Sequence, residues 1–437
     1  MAKNNFPAPI FLPANSFCIQ LKLMPYTIRL CILLFAVCSS ALAQSSTVEA
    51  ITKKLASAEL AGRASKSEGA QKAADFIASQ FRDTGLKLLP SAAPNVAGVI
   101  EGKERKDEFV VVSAHYDGFG GAFVGAMDNA AGVAVLIEMA KLLAKTPPQR
   151  SLLFIAFDGG EQSNTGAKLY AERPLAPLDK TVAAINLAGF GGGFGEHFYE
   201  TLYVIGAEFS PPLAEAVTKQ KRGGASLTMF GDDVTRFIGT EHFRFKLGQV
   251  PAVTITNGIH YAYHSKADVP ARINFPALEK HPPMLAKLVT EIANTPGKIE
   301  RSAQPNYDAD EASEWLRLLT ALRENVLKTA ANNAGQQHID DTMLELKRFK
   351  GRAVNDPKAR EAVILRAASI CFYIANPNGV EYNSLLDAAR NAEQSGQRQQ
   401  AIAAYQKLLK FMEEEYRRDD LMVNDIRQRL VKLGARN

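Results

Sequence analysis

A run of four apolar residues, Phe109-Val110-Val111-Val112, most constrains how this chain can fold. The run is continuous and mostly β-branched; a charged turn at 101–108 precedes it and a glycine-rich loop at 118–125 follows it. Such a run is typical of a strand that is buried on both faces of a sheet. Strands of this kind occur in parallel sheets that helices cover on both sides.

The same signal recurs along the chain and alternates with helical periodicity. We predict further strands at 95–100, 152–157, 181–187, 202–205 and 251–256, and helices at 129–143, 164–171 and 273–294. This alternation predicts an α/β fold with a mostly parallel or mixed central sheet flanked by helices.

The composition changes near Thr295-Pro296-Gly297. Beyond that point apolar residues such as Trp315 and Leu318 recur at helical spacing, which predicts an all-α C-terminal region. We therefore predict a first domain at 44–297 and a helical domain at 298–437.

One segment of the C-terminal region, 384–411, carries small residues where two helices would cross and Gly396 at the turn between them. This pattern is similar to a single tetratricopeptide-type helix pair. Three or more repeats are needed to form a peptide-binding groove. We therefore expect the pair to pack against the first domain or against a protein partner.

The charge distribution gives no indication of a polyanionic partner. The 437 residues carry a net charge of +5, and no dense block of lysine and arginine occurs. We therefore expect no nucleic-acid ligand.

The N-terminal segment has the pattern of a secretory signal peptide. Arg29 precedes the apolar run 30–37, and Ala41-Leu42-Ala43 follows with small residues at the cleavage position. The apolar run is too short to span a membrane. We predict a signal peptide at 24–43, with 1–23 as an upstream mis-start, and no transmembrane span in the mature chain.

The predicted leader implies export, and the bacterial periplasm is the expected location. A lipoprotein anchor at Cys38 is the alternative, although Val37 before it is bulkier than lipidation signals usually allow. Cleavage would leave Cys371 as the single cysteine, so the mature chain would form no internal disulfide.

Histidines and carboxylates follow several of the predicted strands. His115 lies at the end of the first buried run, Asp128 begins the next helix, Glu161 follows the strand 152–157, and His264 follows the strand 251–256. Imidazole nitrogens and carboxylate oxygens are ligands of zinc, so this pattern predicts a metal site at one edge of the sheet. The alternative is a set of strand-end and helix-capping residues that bind only backbone.

Five short motifs together resemble a known family. They are Leu60-Ala61-Gly62-Arg63, 95–100, His115-Tyr116-Asp117, 128–133 and 263–268. They are similar to motifs of the co-catalytic zinc exopeptidases of metallopeptidase family twenty-eight, which include bacterial aminopeptidases, with glutamate carboxypeptidases and glutaminyl cyclases as relatives. The resemblance covers roughly residues 59–275.

The resemblance implies a role for each matching residue. Asp128 would bridge two zinc ions, Glu161 and His264 would complete one zinc site, and His115 would bind the other. Asp117 would fix the tautomer of the His115 imidazole. The peptide bond between Asp128 and Asn129 would be cis.

Two positions depart from the family pattern. The family has adjacent glutamates, of which the first removes a proton from the metal-bound water; here Gly160 precedes Glu161. The family also places a metal-binding aspartate where this chain has Ala188. Asp158 is a weak candidate for the missing base, and Glu196 for the missing ligand.

These observations leave alternative functions open. The first is a periplasmic zinc exopeptidase, aminopeptidase-like, that retains one zinc and is slow because its base is absent. The second is a catalytically inactive relative that binds peptides or serves as a scaffold. A glutaminyl-cyclase-like activity is the third, but it needs the same glutamate that is replaced by Gly160.

Overall fold

The buried apolar runs pair into one eight-stranded sheet in a computed structural model. The structure describes residues 47–91, 94–237, 239–329, 333–375, 377–415 and 420–435. The strands are β1 (Lys87–Leu89), β2 (Val96–Ile100), β3 (Arg105–His115), β4 (Arg150–Phe157), β5 (Thr181–Leu187), β6 (Leu202–Ile205), β7 (Leu227–Phe230) and β8 (Ala252–Thr256). The predicted leader at 24–43 lies outside the described residues.

The sheet is mixed, with the order β1-β2-β4-β3-β5-β8-β6-β7. The four central strands β4, β3, β5 and β8 run parallel to one another. Strand β2 is antiparallel to β4, and β6 is antiparallel to β8. This arrangement, with helices against it, confirms the predicted fold class.

The six predicted strands are present, and two short strands, β1 and β7, had not been predicted. Each has only three or four residues, which is too few to show the alternation by which strands are recognised. Both lie at the edges of the sheet.

The helices of the first part of the chain cover the sheet. They are α1 (Thr47–Leu55), α2 (Glu68–Asp83), α3 (Ala131–Lys145), α4 (Thr165–Glu172), α5 (Pro211–Arg222), α6 (His242–Leu247), α7 (Phe275–Leu278) and α8 (His281–Asn294). The predicted continuous helix at 273–294 is corrected to α7 and α8. Prolines near the start of each helix explain the interruption, because proline is accepted in the first turn and breaks a helix interior.

The two faces of β3 pack into different apolar layers because side chains alternate along a strand. Val110 and Val112 belong to the layer that contains α3. Val111 belongs to the opposite layer, with Ala184 of β5 and Phe245 of α6. Residues 113 and 115 therefore lie on the α6 side of the sheet.

The C-terminal region is helical, as predicted. Its helices are α9 (Glu311–Thr329), α10 (Asn333–Arg348), α11 (Pro357–Arg360), α12 (Arg366–Ala375), α13 (Pro377–Gln394), α14 (Arg398–Glu414) and α15 (Asp420–Lys432). Helices α13 and α14 flank Gly396 and correspond to the predicted helix pair. Their resemblance to a tetratricopeptide unit, and the domain boundary at 297, stay predictions.

The first C-terminal helices pack against the β6–β7 edge of the sheet. The Trp315 ring stacks on Phe230 at a centroid distance of 4.2 Å. The Arg360 guanidinium binds Asp233 near β7 and Glu311 at the start of α9, each at 2.7 Å. A separate apolar cluster joins α13, α14 and α15. Within the described residues, no helix combines the length and the apolar character needed to cross a bilayer.

Candidate metal centre

Four segments bring the predicted metal ligands to one end of the sheet. His115 is the last residue of β3, and Asp128 lies in the turn that leads into α3. Glu161 follows β4, and His264 lies in the loop after β8. Because β3, β4 and β8 run in the same direction, the segments that follow them meet at their shared carboxyl edge.

The Asp128 carboxylate lies between the two histidines. Its Oδ1 is 3.3 Å from Nε2 of His115, and its Oδ2 is 3.1 Å from Nε2 of His264. The Oε2 atom of Glu161 is 3.7 Å from Nε2 of His264. The Asp128–Asn129 peptide bond is cis, as the resemblance implies. Each oxygen of Asp128 thus faces a different imidazole, which is the orientation that a bridging ligand requires.

The donor set fits zinc. Ligand atoms of His115, Asp128 and Glu161 lie within 4.8 Å of one another, and zinc accepts imidazole nitrogen and carboxylate oxygen at 2.0–2.2 Å. Burial by itself would raise the pKa of Asp128, but the two histidines outweigh it and lower that pKa. Burial opposes protonation of His115, yet Asp117 and Asp128 raise its pKa well above 6.5. The carboxylates therefore favour positive charge at this buried point.

Asp117 holds the turn that carries Glu161. Its two carboxylate oxygens accept hydrogen bonds from the backbone amides of Gly160 and Glu161, at 2.7 and 3.2 Å. The nearer oxygen is 3.6 Å from Nδ1 of His115, which exceeds a hydrogen-bond distance. Asp117 therefore positions Glu161 through the backbone, and its predicted effect on the His115 tautomer stays a prediction.

Two polar side chains hold the segment around Asp128. Asp268 accepts hydrogen bonds from the amides of Met127 and Asp128, at 2.8 and 3.1 Å. The Asn129 side chain donates to the carbonyls of His115 and Leu187, at 3.3 and 2.9 Å. The strand ends and the Asp128 turn are consequently tied together.

Arg63 fixes the loop between His115 and Asp128 through hydrogen bonds to backbone carbonyls. Its buried guanidinium donates to the carbonyls of Leu55, Tyr116, Val124 and Gly125, at 2.6–3.0 Å. Burial lowers its pKa to about 10, so the group stays charged at neutral pH. The motif at 60–63 did not predict this role of Arg63.

Two aromatic rings enclose the His264 imidazole. The Tyr263 ring stacks on it at 3.7 Å, and the Phe119 ring meets it edge-on at 4.8 Å between centroids. These contacts restrict the rotation of His264, so its Nε2 stays directed at Asp128 and Glu161.

Asp158 is buried beside Ser65 and is not among the converging ligand atoms. Ser65 Oγ donates to Asp158 Oδ2 at 2.6 Å. Burial raises the pKa of Asp158, so the carboxylate form, which would accept a proton, is less favoured than in water. Its predicted role as the base stays a prediction.

The position of the missing glutamate is filled by the His115 side chain. A Cβ atom at Gly160 would overlap Cβ and Cγ of His115 and would lie 2.7 Å from its Nδ1. A side chain at residue 160 is therefore incompatible with the present position of His115. Glu196, the candidate replacement ligand, instead forms an exposed ion pair with Arg272 at 3.0 Å.

Glu241 is the carboxylate that sequence reasoning missed. It precedes α6 and is only 1% exposed. The neighbouring His242 binds Asp232 at 2.7 Å and also contacts Thr240. The contact of Glu241 with Asn186 depends on how α6 packs on the sheet, which the sequence does not show.

The chain is similar to several known proteins. Residues 95–289 match the model of Peptidase family M28. The BOS complex subunit NCLN of Rattus norvegicus is 26% identical over 276 residues, which cover 52% of this chain and 47% of that protein. A probable zinc metalloprotease of Pyrenophora teres f. teres is 31% identical over 116 residues, which cover 25% of each chain. The chain thus spans about half the length, or less, of these curated relatives.

A solved structure supports the fold. The zinc aminopeptidase BSAP of Bacillus subtilis superposes with a TM-score of 0.50 at 15% identity, covering 60% of this chain and 98% of that one. The family match, the shared fold and the converging ligands agree with the resemblance that the motifs carry. Residues 95–289 are therefore similar to Peptidase family M28, and Gly160 and Ala188 lie at the two positions where the resemblance implies a glutamate and an aspartate.

Proposed function

We propose that this protein is a zinc-dependent hydrolase of peptide bonds, of the aminopeptidase-like exopeptidase type, exported to the bacterial periplasm. The observation that carries the proposal is the Asp128 carboxylate, each oxygen of which faces a different histidine. Glu161 beside His264 completes a set of three ligands for one zinc ion. The predicted leader supports export, and the strand-end motifs support an amide substrate.

The ligands divide into two groups that share Asp128. Asp128, Glu161 and His264 form the His264 half of the site. His115, Asp128 and the position of Ala188 form the His115 half. The first has three protein ligands, as catalytic zinc sites do, while the second lacks the family's carboxylate.

Zinc in the His264 half would lower the pKa of a bound water to about 7 and polarise the substrate carbonyl. The protein orients the ligands through Asp117, Asp268 and the rings around His264. It provides no glutamate at residue 160 to accept the proton of the water. The loss of a general base typically lowers the rate by about 10²–10⁴-fold, so slow turnover is expected.

The test is hydrolysis of aminoacyl and dipeptide substrates by the purified, zinc-loaded chain. We expect slow turnover that a chelator abolishes and zinc restores. In Asp128→Ala both zinc binding and turnover should be lost, because Asp128 is shared by the two halves. Asp158→Asn should retain zinc, since Asp158 lies outside the converging ligand atoms, and its turnover tests the predicted role of Asp158 as the base. A wild-type chain that retains no zinc and cleaves none of these substrates would contradict the proposal.

A catalytically inactive scaffold is the second candidate function. It is favoured by the packing of His115 against Gly160, which excludes the family's base, and by the similarity to a BOS complex subunit. In that case the C-terminal helices would bind a protein partner. Retained zinc without any turnover would support this candidate over the first.

A further inference from the structure

The loop that carries His264 packs against the C-terminal helices. This loop, residues 257–264, follows β8 and is called the His264 loop below. Its Ile259 is buried in an apolar cluster that includes side chains of α9 and α12, and Tyr263 packs against the same cluster. The Tyr263 ring stacks on the His264 imidazole at 3.7 Å. One aromatic ring therefore separates the cluster from a predicted zinc ligand.

A second loop connects the His264 loop to the same helices. This loop, residues 189–195, follows β5 and is called the β5 loop below. A Cβ atom added at Gly195 would overlap Cδ2 of Leu322 in α9 and would lie 3.5 Å from Cβ of Ala375 in α12. The Gly195 amide donates a hydrogen bond to the Ile259 carbonyl at 2.7 Å. Helices α9 and α12 thus contact the backbone of a loop that is hydrogen-bonded to the His264 loop.

Asn257 joins the two loops a second time. Its Oδ1 accepts hydrogen bonds from the amides of Gly191 and Gly193, at 3.2 and 2.9 Å. Its own amide donates to the Gly189 carbonyl at 2.8 Å. Since the loops are joined at Asn257 and again at Ile259, they are held as one unit.

Phe194 of the β5 loop lies between the helices and the His264 loop. Its ring meets those of Trp315 in α9 and Phe372 in α12, at centroid distances of 6.3 and 5.8 Å. On the other side, a Cβ atom added at Gly258 would lie 2.8 Å from the Phe194 side chain. A change in either helix must therefore be accommodated by Phe194 and by the backbone next to it.

The β5 loop also contacts the segment that carries Asp128. The Phe190 amide donates to the Met127 carbonyl at 3.1 Å. A Cβ atom added at Gly192 would lie 2.5 Å from Sδ of Met127 and 2.9 Å from Cβ of His260. Met127 directly precedes Asp128. The joined loops therefore pack beside the carboxylate that faces His264.

We propose that α9 and α12 hold the His264 imidazole in position, through Tyr263 and the two joined loops. The inference rests on the proposed zinc site. Both helices lie beyond the residues 95–289 that match the family model, so the family pattern does not include them. Among the described residues, the separate apolar cluster of α13, α14 and α15 includes no side chain of either loop.

This arrangement couples zinc binding to the packing of the C-terminal helices. Tightly packed interiors transmit displacements instead of absorbing them. A shift of α9 would therefore move Nε2 of His264, which lies 3.1 Å from Oδ2 of Asp128. Loss of a group that orients a metal ligand typically weakens metal binding by about 10–100-fold. Tyr263 and Leu322 are thus positioning residues.

The test compares Leu322→Ala in α9 with Leu408→Ala in α14. Both leucines are fully buried, so both variants lose the same side-chain atoms from a core. Leu322 contacts the β5 loop, whereas Leu408 belongs to the separate cluster. The first measurement is the rate of zinc release to excess EDTA. The second is the hydrogen exchange of the amides at 257–264 in the zinc-free chain, followed by mass spectrometry.

We expect Leu322→Ala to release zinc about 10–100-fold faster than the wild type and to exchange the amides of the His264 loop faster. Leu408→Ala should match the wild type in both measurements, although each variant should melt at a lower temperature. Leu322→Met conserves the volume of the side chain and should restore slow zinc release.

Phe372→Leu keeps the inference testable if Leu322→Ala folds poorly. It removes the ring that meets Phe194 and should accelerate zinc release to a smaller extent. Wild-type zinc release and amide exchange in variants that melt earlier would overturn the inference and leave the proposed function intact, as would equal effects of Leu322→Ala and Leu408→Ala. A wild type that binds no zinc would overturn the proposed function. Amide exchange would then decide the inference, which unchanged exchange in Leu322→Ala would overturn.

Discussion

The two halves of the metal centre differ in how completely they are built. The His264 half keeps the three side chains that the resemblance implies as ligands, and aromatic rings restrict its histidine. The His115 half lacks the family's aspartate at Ala188, and the His115 side chain occupies the space of the missing glutamate at Gly160. Both departures from the family pattern therefore lie in the His115 half. Metal binding and proton transfer can therefore be lost separately.

The largest effect on zinc content is expected from replacing the histidine of each half. His264→Ala should remove the tightly held zinc ion, while His115→Ala should leave it, because only the former changes the three-ligand set. Elemental analysis should show the loss of this zinc ion in His264→Ala and its retention in His115→Ala. Equal zinc contents in the two variants would contradict the difference between the halves.

An intermediate effect is expected from Gly160→Ala. The added methyl group must displace His115, which should weaken zinc binding in the His115 half by about 10–100-fold, the range for changes next to a ligand. Overpacking should also lower the free energy of unfolding by about 1–3 kcal/mol. Zinc titration and denaturant unfolding would measure the two effects.

The control for Gly160→Ala is Gly223→Ala. Gly223 lies at the end of α5, where the nearest atom to an added Cβ is 3.3 Å away. That variant should bind zinc like the wild type. Unchanged zinc binding in Gly160→Ala would show that His115 can move, and that a glutamate at residue 160 could be restored.

Glu208→Gln should leave zinc binding unchanged. It should instead change how the stability of the folded chain depends on pH. Burial raises the pKa of Glu208 from 4.5 to about 8, so the folded chain favours its protonated form. The protonated Glu208 therefore contributes up to a few kcal/mol to the free energy of unfolding. This contribution is fully present below about pH 4.5 and is lost as the pH rises toward 8. Thermal unfolding at pH 5 to 9 should show a flatter profile for Glu208→Gln. Parallel profiles for the two proteins would contradict this assignment.

The sequence allowed the fold class and the four converging ligands to be predicted because both follow from local signals. Buried strands are continuous apolar runs, and parallel strands place their carboxyl ends together. His115, Asp128, Glu161 and His264 each stand at such a strand end or helix start, so their convergence required no knowledge of packing.

The remaining features depend on packing between distant segments. The contact between Gly160 and His115 is set by how β3 and β4 pair, and Glu241 reaches Asn186 through the placement of α6. Neither relation leaves a periodic pattern in the sequence. The short edge strands β1 and β7 were missed for a different reason, since three or four residues carry too little alternation.

The buried Arg63 guanidinium has a practical consequence for any attempt to shorten this protein. It donates hydrogen bonds to the carbonyl of Leu55, at the end of the first helix, and to those of Val124 and Gly125. Gly125 lies three residues before Asp128. A chain trimmed to the matching family region, 95–289, would lack this cation and the helix it anchors. Such a fragment would keep every predicted zinc ligand. The loop that positions Asp128 would nevertheless lack the hydrogen bonds from Arg63.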